Sequence, residues 1–342
     1  MKAVIVMGAS AGGVQALKGV VAALPGDLAA AVCVVLHIPP GSPSLLSRIL
    51  GKASRMPVVE ATDGMPLQGG QVVVARADRH LMVGDGHVRV TRGPKESRVR
   101  PSIDVLFRSA AAAYGPRVIG VVLTGGLDDG SAGLWAVKDR GGIAVVQDPA
   151  TAEFPSMPQS ARDQVDVDAT VPLESIAAEL VRRVDAMPPG PGTPVEIPER
   201  MRIENLIALE ANGLKAGSLD LGKKSSFTCP ECHGALVEIE EGRIVRFRCH
   251  TGHAYSIRSL LADVNEAIDS SLWDALRAAE ERILLLRRMA QSATASGEPQ
   301  TQASGQIAAT EAQVDALRKI LVEGLSDEST EAKSETESVG ST

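Results

Sequence analysis

Gly8-Ala9-Ser10-Ala11-Gly12 sets a hydroxyl among small residues, between an apolar run (Ala3 to Met7) and a stretch with helical spacing (Val14, Leu17, Val20, Val21). G-x-S-x-G is the nucleophile-elbow pattern, in which glycines let a tight strand-to-helix turn push the serine oxygen out of a sheet. A nucleophile there needs a base and a carboxylate. Two other readings fit the same turn. A helix N-terminus after a glycine turn binds phosphates, but G-x-G-x-x-G requires Gly at position 10, and a Walker loop requires Lys where the chain has Gly13-Val14. The bland alternative is a βα turn with Ser10 as helix N-cap.

Partners for the nucleophile reading follow other apolar runs. His37-Ile38-Pro39-Pro40 follows Ala31–Leu36, and Asp128-Asp129-Gly130-Ser131 lies between the run Val118–Leu123 and a helical stretch. A histidine after a strand is commonly structural, and an Asp before a helix is commonly an N-cap. The residues alone leave the nucleophile and the turn readings open.

A second chemical cluster lies far downstream. Cys229-Pro230-Glu231-Cys232 precedes a hairpin-like stretch (Ala235–Ile239, Ile244–Phe247), and Cys249-His250-Thr251-Gly252-His253 follows it. Two ligand pairs joined by a hairpin match a small zinc ribbon. The ligand set read from the spacing is Cys229, Cys232, Cys249 and His253, a closed structural zinc site. His250 directly abuts Cys249 and is read, with His233, as a surface residue. Reduced, unliganded thiols are the alternative.

The elements that must position these groups alternate. Strand-like segments Ala3–Met7, Ala31–Leu36, Gln71–Ala75, Val118–Leu123, Ile143–Gln147 and Ala169–Val171 are interleaved with helical ones at Val14–Leu24, Ser44–Lys52, Ile103–Tyr114, Ser131–Arg140, Met157–Val165 and Leu173–Met187. Gly84-Asp85-Gly86 between Leu81–Val83 and Val88–Thr91 reads as an inserted hairpin. The pattern predicts an α/β fold: a doubly wound, three-layer, mainly parallel sheet, with ligands beyond the carboxyl ends of the strands. Ser10, His37 and the Asp pair all fall at such ends.

Composition narrows the class. The chain has 342 residues and a net charge of −7, which argues against a nucleic-acid binder held by a broad basic field. No secretory leader and no apolar run of transmembrane length is read, which excludes membrane insertion as an expectation. Three of the four cysteines cluster and Cys33 stands apart, pointing to a cytoplasmic protein with a metal rather than a disulfide framework.

Gly8-Ala9-Ser10-Ala11-Gly12-Gly13, His37-Ile38-Pro39, Arg100-Pro101-Ser102-Ile103-Asp104-Val105-Leu106-Phe107, Leu123-Thr124-Gly125 with Asp129-Gly130-Ser131-Ala132-Gly133, and Met157-Pro158 resemble, in order, the catalytic domain of the chemotaxis protein-glutamate methylesterases, the CheB family. The resemblance covers about Met1 to Met187. It implies hydrolysis of γ-glutamyl methyl esters on chemoreceptor signalling helices, in many members with glutamine deamidation. It also implies Ser10 as nucleophile, His37 as base and Asp129 as carboxylate, with Asp128 at a variable position. Ala11, Gly12 and Met157 are the expected oxyanion and substrate-contact residues, and catalysis needs no cofactor. Two departures stand out: Ala11 where Thr is common after the serine, and Gly125-Gly126-Leu127 in place of Gly-Met-Gly. The receiver domain usual in the family is not read before the catalytic strand, so control by a separate receiver or scaffold protein is the expectation.

The remaining chain reads as a Pro/Gly linker over 188–200, a short helical connector over 201–222, a zinc-ribbon-like module over 223–257, a helical hairpin over 258–325 and a disordered tail over 326–342. An apolar stripe from Leu261 through Leu286 suits packing within the hairpin, or an oligomer or helical partner. The rival to the esterase is a non-catalytic regulatory or binding protein on the same scaffold, or an esterase for another carboxyl methyl ester.

Overall fold

The structure is a computed structural model that describes residues 1–188, 196–210, 212–296 and 301–337. They form two compact units, Met1–Leu261 and Ala262–Thr342.

The first unit begins as the sequence predicts, with β1 (Ala3–Ala9), α1 (Gly13–Ala23), β2 (Ala30–Leu36), α2 (Leu46–Gly51), β3 (Val58–Glu60), β4 (Gln71–Val74), the hairpin β5 (His80–Val83) and β6 (Val88–Thr91), α3 (Ile103–Tyr114), β7 (Val118–Val122), α4 (Ser131–Asp139), β8 (Ile143–Gln147), α5 (Ser156–Gln164), β9 (Ala169–Val171) and α6 (Leu173–Ala186). Seven strands make a parallel sheet in the order β3-β4-β2-β1-β7-β8-β9.

The alternation within β1 explains the layers. Val4 and Val6 face a core with Phe107 of α3, Leu134 of α4 and Met157 of α5. Ile5 and Met7 face the opposite core with Leu17 of α1, Leu50 of α2 and Leu180 of α6. Strands buried on both faces are uninterrupted apolar runs, which is why they are legible. β3 was not, because it has only three half-buried residues at the sheet edge.

The connector follows as α7 (Glu199–Glu210) and α8 (Gly213–Ala216), and then an antiparallel sheet of β10 (Lys223–Thr228), β11 (Ala235–Glu241), β12 (Ile244–Cys249) and β13 (Ala254–Ser256). Asn212 caps α8: its side chain accepts the Lys215 N–H at 3.1 Å. β10 and β13 lie outside the predicted hairpin. Most of the predicted Pro/Gly linker, 189–195, lies outside the described residues.

α9 (Ile257–Ser296) starts in the first unit and continues into the second, where α10 (Thr301–Glu337) completes a helical pair. Leu276 and Ile283 are buried with Val314 and Leu321. The stretch between the two helices is helical up to Ser296 and again from Thr301, and α10 extends through 326–337, where disorder was expected. Alanine, glutamate and lysine in that stretch are good helix formers despite its polarity. Residues 338–342 lie outside the described residues.

Candidate active site and metal centre

Register alone brings two of the three candidates together. β1 and β2 pair Ala9 with Leu36, so Ser10 and His37 are the next residues out on neighbouring strands, which run about 4.8 Å apart. The Ser10 N–H donates to the Thr124 carbonyl at 3.0 Å, anchoring the turn to the strand on its other side. Gly12 takes a left-handed φ of 71°, a conformation that costs glycine little. Gly125 packs so closely that a Cβ there would lie 2.8 Å from the Ser10 Cβ and 2.8 Å from the Met157 Cε. Met157 is fully buried, so it backs the turn from within the core rather than lining the cleft, in contrast to the substrate contact expected from sequence. Ala11 is exposed, and among the described residues no acceptor meets its N–H.

His37 Nε2 lies 2.8 Å from Asp129 Oδ2. Asp129 is buried, and its carboxylate also accepts the Ser102 hydroxyl at 2.9 Å and the backbone N–H of Ile103 at 2.7 Å. It therefore sits on the N-terminus of α3, where orphan amide donors and the helix dipole favour a negative charge. The support is reciprocal, because Asp104 in the first turn of α3 accepts the N–H groups of Gly130 and Gly133 at the start of α4. Burial, and then the Asp129 charge beside it, raise the Asp104 carboxyl well above the ordinary range.

Sequence reasoning missed His80. Its Nε2 faces the Pro94 carbonyl at 2.9 Å and its Nδ1 accepts the Ser102 N–H, so the ring is the Nε2–H tautomer; burial lowers its pKa. It holds Ser102, which holds Asp129. Ser102 and Asp104 were within the quoted Arg100–Phe107 motif; His80 carried no local signal. Asp128 turns away from His37 and accepts the Ser256 hydroxyl at 2.7 Å. Burial first, and then Asp129, raise its pKa.

A cleft of about 340 Å³ opens beside His37, walled by Pro39 and Pro40 on one side and Lys95, Arg98, Val99 and Arg100 on the other. Beside the serine turn, Leu127 and Phe154 are exposed apolar side chains.

In the downstream sheet, the ligand atoms of Cys229, Cys232, Cys249 and His253 all lie within 4.8 Å of one another. Cys229 Sγ and Cys249 Sγ are each 3.6 Å from His253 Nδ1, and Cys232 Sγ is 3.6 Å from Cys249 Sγ. A tetrahedron with Zn–S near 2.3 Å and Zn–N of about 2.0–2.1 Å has edges of about 3.6–3.8 Å. The donor set and its spacing fit a structural zinc ion. The Thr251 hydroxyl is 2.9 Å from the sulfurs of both Cys232 and Cys249, and the outer ring nitrogen of His253 meets Glu231 at 3.3 Å. Such outer partners orient metal ligands. Hydrogen bonds, first from Cys229, pull the Cys249 thiol far down, and His253 is pushed up to about 9, with Cys249 as the largest cause. His233 is exposed, whereas His250 is half-buried rather than on the surface, its ring filling the space where a Cβ on Gly234 would sit. Cys33 is a core residue of β2 whose thiol burial pushes up to about 12.

A family model described as CheB methylesterase matches residues 5–180. The chain belongs to the CheB methylesterase family. It is 41% identical over 182 residues to a putative protein-glutamate methylesterase/protein-glutamine glutaminase of Leptospira interrogans, covering 53% of this chain and 94% of that protein. It is 42% identical over 177 residues to a protein-glutamate methylesterase/protein-glutamine glutaminase 2 of Anaeromyxobacter dehalogenans, covering 52% of each. The chain therefore spans about half the length of that relative. Among solved structures, the CheB methylesterase catalytic domain of Thermotoga maritima is similar at TM-score 0.52 and 32% identity, over 54% of this chain and 99% of that one.

The CheB match ends before the cysteine cluster, yet the cluster's module is built into the CheB fold. Glu96, just ahead of α3, accepts Arg108 of α3 at 2.8 Å and Arg248 of β12 at 2.9 Å. Glu204 of α7 accepts Arg246 at 2.7 Å and Arg248 at 2.8 Å, and Arg246 also pairs with Glu241. All six side chains are buried. Burial pushes the Glu96 carboxyl up, and Arg108 and Arg248 outweigh it, holding it down at about 2. Three carboxylates and three guanidinium groups thus balance without a surplus charge.

Proposed function

We propose that the chain is a serine hydrolase that demethylates γ-glutamyl methyl esters on chemoreceptor signalling helices, with glutamine deamidation as a second activity. The observation that carries this is the His37–Asp129 contact at the strand end in register with Ser10. Because Nε2 is engaged by Asp129, His37 Nδ1 is the nitrogen that takes the Ser10 proton as Oγ attacks the ester carbonyl, and it returns that proton to the leaving methanol. Asp129 fixes the tautomer and stabilises the imidazolium. The Ala11 N–H, at the turn into α1, meets the oxyanion. Water then reverses the sequence to release glutamate. The curated relatives' names, which give both the esterase and the glutaminase activity, support the pairing of reactions.

We assign the catalytic domain to 1–187 and the metal-binding module to 223–257, with Cys229, Cys232, Cys249 and His253 holding a structural zinc ion. Among the described residues no helix is long and apolar enough to cross a membrane; the proposed place of action is the cytoplasm, on the receptors' signalling helices. The helical hairpin is the proposed oligomer contact.

The test is peptide mapping by mass spectrometry of a methylated receptor fragment before and after incubation. Wild type should remove methyl groups from glutamate esters, and Ser10→Ala should remove none. Esters left intact by wild type, or lost equally with Ser10→Ala, would overturn the assignment.

A further inference from the structure

Five residues that line the cleft come from one segment, Lys95 to Pro101. That segment is tied to the catalytic fold through Glu96 to Arg108 and through Arg100 to Asp78, and to the ribbon as well. Ser97 and Arg98 take left-handed φ values of 50° and 72°, which are strained for side chains of this kind. Their neighbours are held from the ribbon side. The Ser97 N–H donates to the Ala254 carbonyl at 2.8 Å and the Ala254 N–H donates to the Lys95 carbonyl at 3.2 Å, so β13 meets the segment in one parallel bridge, between Ala254 and Glu96.

The metal knuckle grips the same segment at two further points. Glu231, inside the first cysteine pair, contacts both the outer nitrogen of His253, at 3.3 Å, and Lys95 Nζ, at 3.1 Å. Arg248, next to Cys249, donates to the Gly252 carbonyl of the second knuckle and to Glu96. At the end of β13, Ser256 reaches Asp128, beside Asp129.

We propose that the Cys₃His module buttresses the Lys95–Pro101 wall of the cleft beside His37, with Glu231 and Glu96 as positioning residues through which the state of the metal knuckle sets the conformation of Lys95–Val99 and so governs substrate capture. The inference rests on the esterase reading for its kinetic consequence, but not for its structural one. An open segment loses the cleft wall while the Ser10–His37–Asp129 geometry, held by β1, β2 and α3, remains. The effect therefore falls on KM more than on kcat.

The structural test is amide hydrogen exchange on the full chain, with zinc and after removal of zinc by a chelator. The Ser97 and Ala254 amides should exchange about tenfold faster without the metal, in step with Cys249 and Gly252. Faster exchange at Cys249 and Gly252 with Ser97 unchanged would overturn the proposal. If chelation melts the whole unit, Glu231→Gln in the zinc-loaded chain carries the test. It should speed Ser97 exchange and raise KM for a methylated receptor fragment by about tenfold, with kcat held within about twofold and zinc content unchanged. Unchanged Ser97 exchange in this variant would contradict the proposal, as would a fall in kcat at constant KM. A wild-type chain that releases no methanol would refute the esterase reading alone, because the exchange readout needs no turnover.

Discussion

In the seven-stranded sheet the strand ends that carry Ser10 and His37 are supported by side chains such as Val6 and Val35 on one face and Met7 and Val34 on the other, all apolar and fully buried. Where the ribbon meets that fold, Ile244 of β12 joins the apolar core on one face of the sheet, and beside that contact lie the buried charged groups Glu96, Arg108, Glu204, Arg246, Arg248 and Glu241. The ribbon's own core is small, with Leu236, Phe247, Tyr255 and Leu260 around Cys229 and Cys249. One region is held by the hydrophobic effect, which is indifferent to pH and chelators. The other adds to its apolar contacts ion pairs and a donor set suited to a metal, which respond to both. The difference teaches that a single chain can give its catalytic frame a robust support and its cleft wall a conditional one.

Several substitutions should break or sharpen that contrast. Ser10→Ala should lower ester turnover by at least about 10⁴-fold in steady-state assays, while leaving the thermal unfolding of both regions unchanged, since the half-buried hydroxyl has no partner among the described residues. Arg248→Met should destabilise the first unit by about 3–5 kcal/mol in urea unfolding, because it leaves the buried cluster with three carboxylates against two guanidinium groups. Ile5→Val in the sheet should cost only about 0.5–1.5 kcal/mol by the same measurement.

Acid should act on the charged interface first. The Glu96 carboxyl is held at about 2 in the folded chain against an ordinary 4.5. Because the folded value is the lower one, its contribution to stability is present above pH 4.5 and drains away as pH falls from there towards 2. Circular dichroism along that window should show the ribbon's contacts failing while the sheet persists, and the loss should be absent in a chain whose cage is rebuilt with apolar residues. Ser256→Ala should cost less than Arg248→Met. Losing its hydrogen bond to Asp128 should lower stability by about 1–3 kcal/mol, at the low end if water reaches the carboxylate.

The same contrast explains what could be read from the sequence. The strands with both faces buried, the Ser10 turn and the cysteine knuckles announce themselves through apolar runs, glycines and fixed spacings within a few residues. β10 is Lys-Lys-Ser-Ser-Phe-Thr and mostly exposed, so nothing in its pattern marks a strand. The cage was illegible because its partners are remote: Glu96 and Arg248 are 152 positions apart, and Ser256 and Asp128 are 128 apart. Charged residues ordinarily report a solvated face, and only the fold shows that these six are inward. Asp129 was legible through its motif, while the α3 N-terminus and His80, which hold it, were not.

The most direct test of the central claim is methanol release from a methylated receptor fragment, measured at equal concentrations of wild type, Ser10→Ala and His37→Ala. Steady release by wild type, with both variants at the level of buffer, is the predicted result. Release that persists in either variant would contradict the account of this cleft as a serine esterase.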